Sequence, residues 1–175
     1  MTLLVLDIRL GPAVSRERLG QGLIALVPRL YSYVVSFFVL ALFWWTYHRI
    51  VALIARADDG FTWWNIAFLF AVTLLPFTAY VLGAFYGTRI AAELYCVNLI
   101  ILSLLLIVMW RYAGAHDLVD SEVSASRRRL VGNRLLASTV TYGCTLLVGI
   151  WFPYWFWLGF VAAVPMRFLA RRGQA

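Results

Sequence analysis

The chain contains apolar stretches longer than an ordinary soluble domain carries. The clearest covers residues 30–54 and is closed by Tyr47-His48-Arg49 and a following charged segment. A helix rises about 1.5 Å per residue, so this stretch is long enough to cross the roughly 30 Å hydrocarbon core of a bilayer. The whole chain agrees, because 63% of its residues are hydrophobic and 13% are charged, against about 25% charged in soluble domains. We therefore expect an integral membrane protein.

The same pattern recurs along the chain and predicts an all-α fold. Arginine-rich or glycine-containing segments separate the apolar runs, and a bilayer favours helices because a helix satisfies its own backbone hydrogen bonds. We predict a single domain, residues 1–175, forming a polytopic transmembrane bundle of five complete helices and the C-terminal half of a first one. The predicted helices cover residues 1–10 (partial), 30–54, 63–83, 90–110, 135–151 and 154–169.

The segment of residues 1–10 has the character of the last turns of a membrane helix. An apolar run is followed at once by Asp7 and Arg9, and its length covers about half of a bilayer core. We expect Met1 to be either an internal methionine of a longer chain or the start of a shortened helix. If several copies meet around an axis, Thr2, Leu3 and Leu6 face it and can form an apolar constriction. Packing against neighbouring helices is the alternative, and periodicity does not choose between them.

The arginines predict the orientation of the chain. All 15 basic residues are arginine, the net charge is +7, and the arginines divide unequally between the two sets of alternate connections. Positive-inside counting places the larger set, and with it the C terminus, in the cytoplasm. An excess of this kind indicates topology and anionic headgroups rather than nucleic-acid binding. The larger set is Arg49, Arg56, Arg111, Arg127, Arg128, Arg129, Arg134, Arg167, Arg171 and Arg172, and the smaller set is Arg9, Arg16, Arg18, Arg29 and Arg89.

No pattern in the sequence indicates an enzyme, a metal site or a cofactor. The two histidines, His48 and His116, are far apart, and there is no glycine-rich phosphate loop or nucleophile elbow. His48 is interpreted as an interface anchor or a hydrogen-bonding group between helices. Asn65 and Asn98 are interpreted as hydrogen-bonding links between helices.

Two further segments carry structural expectations. Pro76 lies inside an apolar run, and its missing N–H predicts a kink or the end of the helix near Thr73. The polar stretch 111–134 predicts a long aqueous connection between two membrane helices.

Several motifs resemble the prokaryotic TMEM175-like potassium channels. The resemblance covers residues 1 to about 113, whereas the last two predicted helices are similar mainly in hydropathy. The motifs are Thr2-Leu3-Leu4-Val5-Leu6-Asp7-Ile8-Arg9-Leu10, Phe43-Trp44, His48-Arg49, Asn65, Leu74-Leu75-Pro76-Phe77, Tyr95, Asn98-Leu99 and Trp110-Arg111-Tyr112-Ala113.

The resemblance implies a six-helix subunit of a homotetrameric potassium channel in the cell membrane of a prokaryote. The first helices would line a central pore, with Leu3 and Leu6 in its apolar constriction and Thr2 supplying a hydroxyl associated with selectivity. It also implies inter-helix or gating contacts at a further set of positions. These are Asp7, Trp44, His48, Asn65 and Asn98.

Two departures from the family pattern keep a second function open. The family's Phe-Ser-Asp-Gly signature at the start of the first helix is absent, and Tyr47-His48 stands where many members carry two adjacent histidines. The alternative is a non-conducting membrane protein, either a truncated product or an assembly partner.

Overall fold

The computed structural model describes the backbone of residues 19–85 and 87–151, which form four α-helices. The all-α prediction is confirmed for these residues. The predicted helices at residues 1–10 and 154–169 lie outside them, so the complete arrangement of helices stays a prediction. The helices are α1 (Leu19–Val51), α2 (Asp59–Ala84), α3 (Arg89–Ala115) and α4 (Ala125–Trp151).

Two of these helices have the length and composition of a membrane span. Within the described residues, α2 and α3 each provide a sufficiently long and apolar stretch. Large apolar side chains also remain exposed on the described helices, which a soluble monomer rarely allows. We infer that lipid or further protein covers them. Examples are Phe38, Trp63, Phe70, Phe77, Ile90 and Val140.

The helices are longer than the apolar runs that predicted them. α1 begins at Leu19 rather than at residue 30 and continues through Pro28, while α3 ends at Ala115 rather than at residue 110. α4 begins at Ala125 rather than at residue 135, so the expected connection 111–134 is reduced to residues 116–124. Hydropathy marks only the part of a helix that suits lipid, whereas backbone hydrogen bonding continues into the polar segments.

Pro76 neither ends its helix nor shortens it. α2 continues past the proline to Ala84, so the expected end near Thr73 is wrong. Threonine hydroxyls on either side of the proline donate to backbone carbonyls, with Thr73 Oγ1 2.7 Å from Phe70 O and Thr78 Oγ1 3.1 Å from Leu75 O. Both hydroxyls donate to carbonyls other than that of Val72, which is the one that loses its N–H donor to the proline.

α3 is the central element of the described bundle. It packs against both α2 and α4, while α1 packs mainly against α2. A stripe of α3 residues at spacings of three and four is almost completely buried, as expected for one helix face held between two neighbours. The stripe consists of Ala91, Tyr95, Leu99, Leu102, Leu106, Met109 and Ala113.

The α1–α2 and α3–α4 connections fold together at one end of the bundle, which we call the closed end (residues 52–58 and 116–124). The N–H of Ala55 donates to Leu118 O at 2.9 Å, and the N–H of Asp120 donates to Leu53 O at 3.0 Å. Leu118, Val119 and Val123 are buried there. Both connections are therefore packed loops, and the α3–α4 connection contributes buried side chains to the core.

Candidate functional site

The residues predicted to line a pore lie outside the described part of the chain. These are Thr2, Leu3 and Leu6, together with the predicted contact residue Asp7. The structure instead describes the scaffold residues Trp44, His48, Asn65 and Asn98. Of these four side chains, Asn98 is buried between helices, whereas Trp44 and His48 are exposed.

Asn98 joins α3 to α2 on either side of Pro76. The side chain is 5% exposed, and its hydrogen-bond network sets the orientation of its amide. In that orientation Nδ2 donates to Ala71 O at 3.3 Å and Oδ1 accepts from Leu75 N at 3.2 Å, with Thr78 Oγ1 also 3.2 Å away. An amide suits this place because it offers both a donor and an acceptor. Asn98 therefore joins α3 to the turn of α2 that precedes the proline.

Asn65 occupies a different place on α2. Its Oδ1 is buried, and it has no hydrogen-bond partner within residues 19–85 and 87–151. Within the same residues no hydrogen bond joins Asn65 to Asn98. The structure therefore does not bring the two asparagines into one cluster.

Trp44 and His48 form a stacked pair on α1. Their ring centroids are 5.4 Å apart and the ring planes differ by 11°. Both side chains are exposed on the described bundle, so the pair faces away from α2, α3 and α4. Its roles in helix contacts and gating stay predictions.

A polar cluster that sequence reasoning missed lies at the closed end. Asp58 caps α2, with Oδ1 accepting from Phe61 N at 2.7 Å and Oδ2 accepting from Tyr112 OH at 3.0 Å. The Phe61 N–H, aided by the Tyr112 hydroxyl, lowers the pKa of the Asp58 carboxyl. Tyr112 also stacks on His116 with ring centroids 4.1 Å apart. The cluster fastens the start of α2 to the end of α3.

Gly60 makes this cluster possible. A Cβ at Gly60 would overlap the hydroxyl and ring of Tyr112. The sequence Asp58-Asp59-Gly60 before an apolar run is a recognisable helix start, but nothing in the sequence indicates that Tyr112 packs on it. Sequence analysis could therefore have predicted Asp58 as a helix cap, but it could not have predicted Tyr112 as the hydrogen-bond partner of Asp58.

Two further polar contacts cross between helices. Ser103 Oγ on α3 lies 2.6 Å from Thr139 Oγ1 on α4, and Tyr95 OH donates to Ser36 Oγ on α1 at 3.4 Å. The described residues contain no group of three or more His, Cys, Asp or Glu side chains that could hold a metal ion. The described chemistry is that of a hydrogen-bonded helix scaffold.

Comparison with known proteins identifies the scaffold. Residues 1–76 match the family model of the endosomal/lysosomal potassium channel TMEM175. A potassium channel of Chamaesiphon minutus is 30% identical over 122 residues, which are 67% of this chain and 60% of that protein. A potassium channel of Streptomyces collinus is 27% identical over 151 residues, which are 83% of this chain and 73% of that protein.

A mammalian relative matches over the whole chain but only part of its own length. The mouse endosomal/lysosomal proton channel TMEM175 is 24% identical over 179 aligned residues, covering 100% of this chain and 35% of the mouse protein. The chain thus spans 60% of the first bacterial relative and about a third of the mouse protein. These relatives are ion channels, which agrees with the expectation that this chain is not an enzyme.

The fold matches a solved channel structure. The crystal structure of a lysosomal potassium-selective channel TMEM175 homolog from Chamaesiphon minutus superimposes with a TM-score of 0.74 at 25% sequence identity. The superposition covers 99% of this chain and 90% of that one. Family model, bacterial relatives and fold agree with one another and with the motifs in the sequence, and this chain resembles the TMEM175 family in both sequence and fold.

Proposed function

We propose that this chain is a subunit of a potassium-permeable channel in the cell membrane of a prokaryote. The observation that carries the proposal is the match of residues 1–76 to the model of a potassium channel family. That match includes residues 1–10, the segment assigned to the pore. The names of the Chamaesiphon and Streptomyces relatives as potassium channels support the choice of ion.

In this proposal the first helix of each subunit lines the pore. Leu3 and Leu6 form its hydrophobic constriction, and Thr2 supplies a hydroxyl beside it. An apolar neck opposes ions because they must shed water to pass, so its width and polarity set both flux and discrimination. The branched leucine side chains suit such a neck.

We propose a homotetramer for the assembled channel. Apolar side chains remain exposed on all four described helices, which supports burial against lipid and neighbouring subunits. The exposed Trp44–His48 pair is a candidate contact between helices, as are Asp7, Asn65 and Asn98. The uneven distribution of arginines supports a cytoplasmic C terminus.

Flux through the reconstituted chain tests the proposal. Purified protein in potassium-loaded liposomes should release potassium, whereas protein-free liposomes should not. Sodium and proton dyes measured in parallel identify the ion, because the mouse relative is named a proton channel. Proton flux without potassium flux would show that the proton, and not potassium, is the permeant ion. The absence of flux of any ion would favour the non-conducting alternative.

A further inference from the structure

An open groove separates α1 from α4 beside the closed end. Phe43 of α1 stacks on Tyr142 of α4 with ring centroids 5.7 Å apart, and nearer the closed end the two helices leave a cavity of about 750 Å³. Besides Leu130, its lining combines one aromatic, two hydroxyl and three guanidinium groups. These belong to Trp45, Arg49, Ser124, Ser126, Arg127 and Arg134.

The groove concentrates positive charge from two helices. Arg49 lies in the last turn of α1, while Arg127 and Arg134 are two turns apart on α4 and so share one face of that helix. Among the residues the structure describes, the one salt bridge joins Arg89 to Glu93 at the other end of the bundle. The three groove arginines therefore have no carboxylate partner in the described structure.

The consecutive arginines at the start of α4 have separate roles. Arg128 holds the closed end, because its guanidinium donates to Val123 O and Asp120 O, each at 3.2 Å. Arg129 lines a smaller adjoining cavity, which shares Ser126 with the groove. Only Arg127 of these three lines the α1–α4 groove. The groove therefore uses one specific arginine of the basic run and does not use the whole run.

Other groups in the groove also favour an anion. The Oγ of Ser124 accepts from Arg127 N at 3.3 Å and so caps the first turn of α4. The positive end of the α4 dipole therefore lies at the groove, and Ser126 adds a hydroxyl donor. Guanidinium groups bind phosphate oxygens with paired hydrogen bonds, which makes phosphate the matching ligand chemistry.

The surroundings of the groove indicate a lipid as the source of that phosphate. Trp45, 48% exposed, borders the groove, and aromatic side chains of this kind lie at membrane interfaces. Two turns before Trp45 and on the same face of α1, Phe38 is 61% exposed. We propose that the α1–α4 groove binds the headgroup of an anionic phospholipid, with the acyl chains extending along the apolar surface of the bundle. This site is independent of whether the chain conducts ions.

Lipid retention by the purified full chain tests the proposal. Native mass spectrometry compares binding of phosphatidylglycerol and phosphatidylcholine with identical acyl chains to the parent, Arg127→Gln, Arg134→Gln and the double variant. Each lost arginine should weaken phosphatidylglycerol binding about fivefold, and the double variant should lose on the order of 25-fold. Phosphatidylcholine binding should be weaker in the parent and should not change among the variants.

Matched variants separate a site from general attraction. Arg111 is an exposed arginine near the same end of the bundle that lines neither cavity, so Arg111→Gln removes the same charge and should leave phosphatidylglycerol binding unchanged. Arg127→Lys should retain most of the binding. Circular dichroism confirms that the variants compared are folded. Equal phosphatidylglycerol binding by the parent and the double variant, or an equal loss in Arg111→Gln, would overturn the site. Displacement of the lipid by equimolar inorganic phosphate would overturn the lipid as its ligand.

Discussion

The absence of a side chain at Gly60 allows Tyr112 to reach the start of α2. The phenol hydroxyl then donates to Asp58, which also caps the helix. A methyl group at Gly60 would occupy the position of the phenol. The packing of the closed end therefore depends on Gly60. In the sequence, only its position after two aspartates distinguishes this glycine.

We predict that Gly60→Ala destabilises the protein. Because the added Cβ displaces Tyr112 from Asp58, the expected cost is about 1–3 kcal/mol, as for other overpacked sites. Thermal unfolding in detergent measures it. Gly114→Ala is the matched control, since a Cβ there meets nothing within 4 Å and alanine favours a helix. A melting temperature for Gly60→Ala equal to or above that of Gly114→Ala would contradict the packing described.

At the scale of helices, Asn98 connects α3 to α2 and Ser103 connects α3 to α4. Asn98 meets the backbone of α2 at Ala71 and Leu75, next to a proline. Ser103 meets only a side chain, Thr139, whose hydroxyl has a second acceptor at Leu135 O, 3.1 Å away. The two polar contacts therefore differ in what is left unpaired when one partner is removed.

We predict that Asn98→Leu costs more stability than Ser103→Ala. The leucine leaves backbone groups of α2 without their amide partner, at a cost of about 1 kcal/mol, within the range of polar contacts between membrane helices. Ser103→Ala should cost less because Thr139 keeps its bond to Leu135. Unfolding free energies from denaturant titration in mixed micelles compare the two. A larger cost for Ser103→Ala would contradict this account of Asn98.

The sequence predicted correctly that the described elements are helices, but it misplaced several of their ends. Long apolar runs identified α2 and α3 because hydropathy reports the part of a helix that suits lipid. The start of α4 escaped because Arg127 to Arg134 look like a loop by composition, although Ser124 caps a helix there. Asn98 was recognisable as a polar residue between helices, but its partners depend on the register of α2 against α3. That register is set by the packing of the two helices against each other, and the amino-acid sequence of each helix does not reveal it.

At the scale of the whole molecule, the distribution of arginines predicts which end of the bundle faces which side of the membrane. The closed end lies with the larger set of arginines and should face the cytoplasm. The α2–α3 connection, which includes Thr88, lies at the opposite end of both helices.

We predict that a cysteine at Ser121 resists membrane-impermeant thiol reagents in intact cells and reacts after lysis. Ser121 is an exposed residue of the closed end. The background should carry Cys144→Ser, because Cys144 is exposed whereas Cys96 is buried. Thr88→Cys is the matched control and should react from outside. The reverse labelling pattern would invert the topology.

The central claim is that residues 1–10 of each subunit line a pore that conducts potassium, and the ratio of potassium to sodium permeability in reconstituted bilayers tests it most directly. Leu6→Ala should raise flux and lower the ratio, because a wider apolar neck lets ions keep more of their water. Thr2→Val should change the ratio by removing the hydroxyl at nearly constant shape. Leu4→Ala, on the side of the predicted helix opposite Thr2 and Leu6, should change little. Identical flux and identical ratios for the parent, Leu6→Ala and Thr2→Val would contradict a pore lined by this segment.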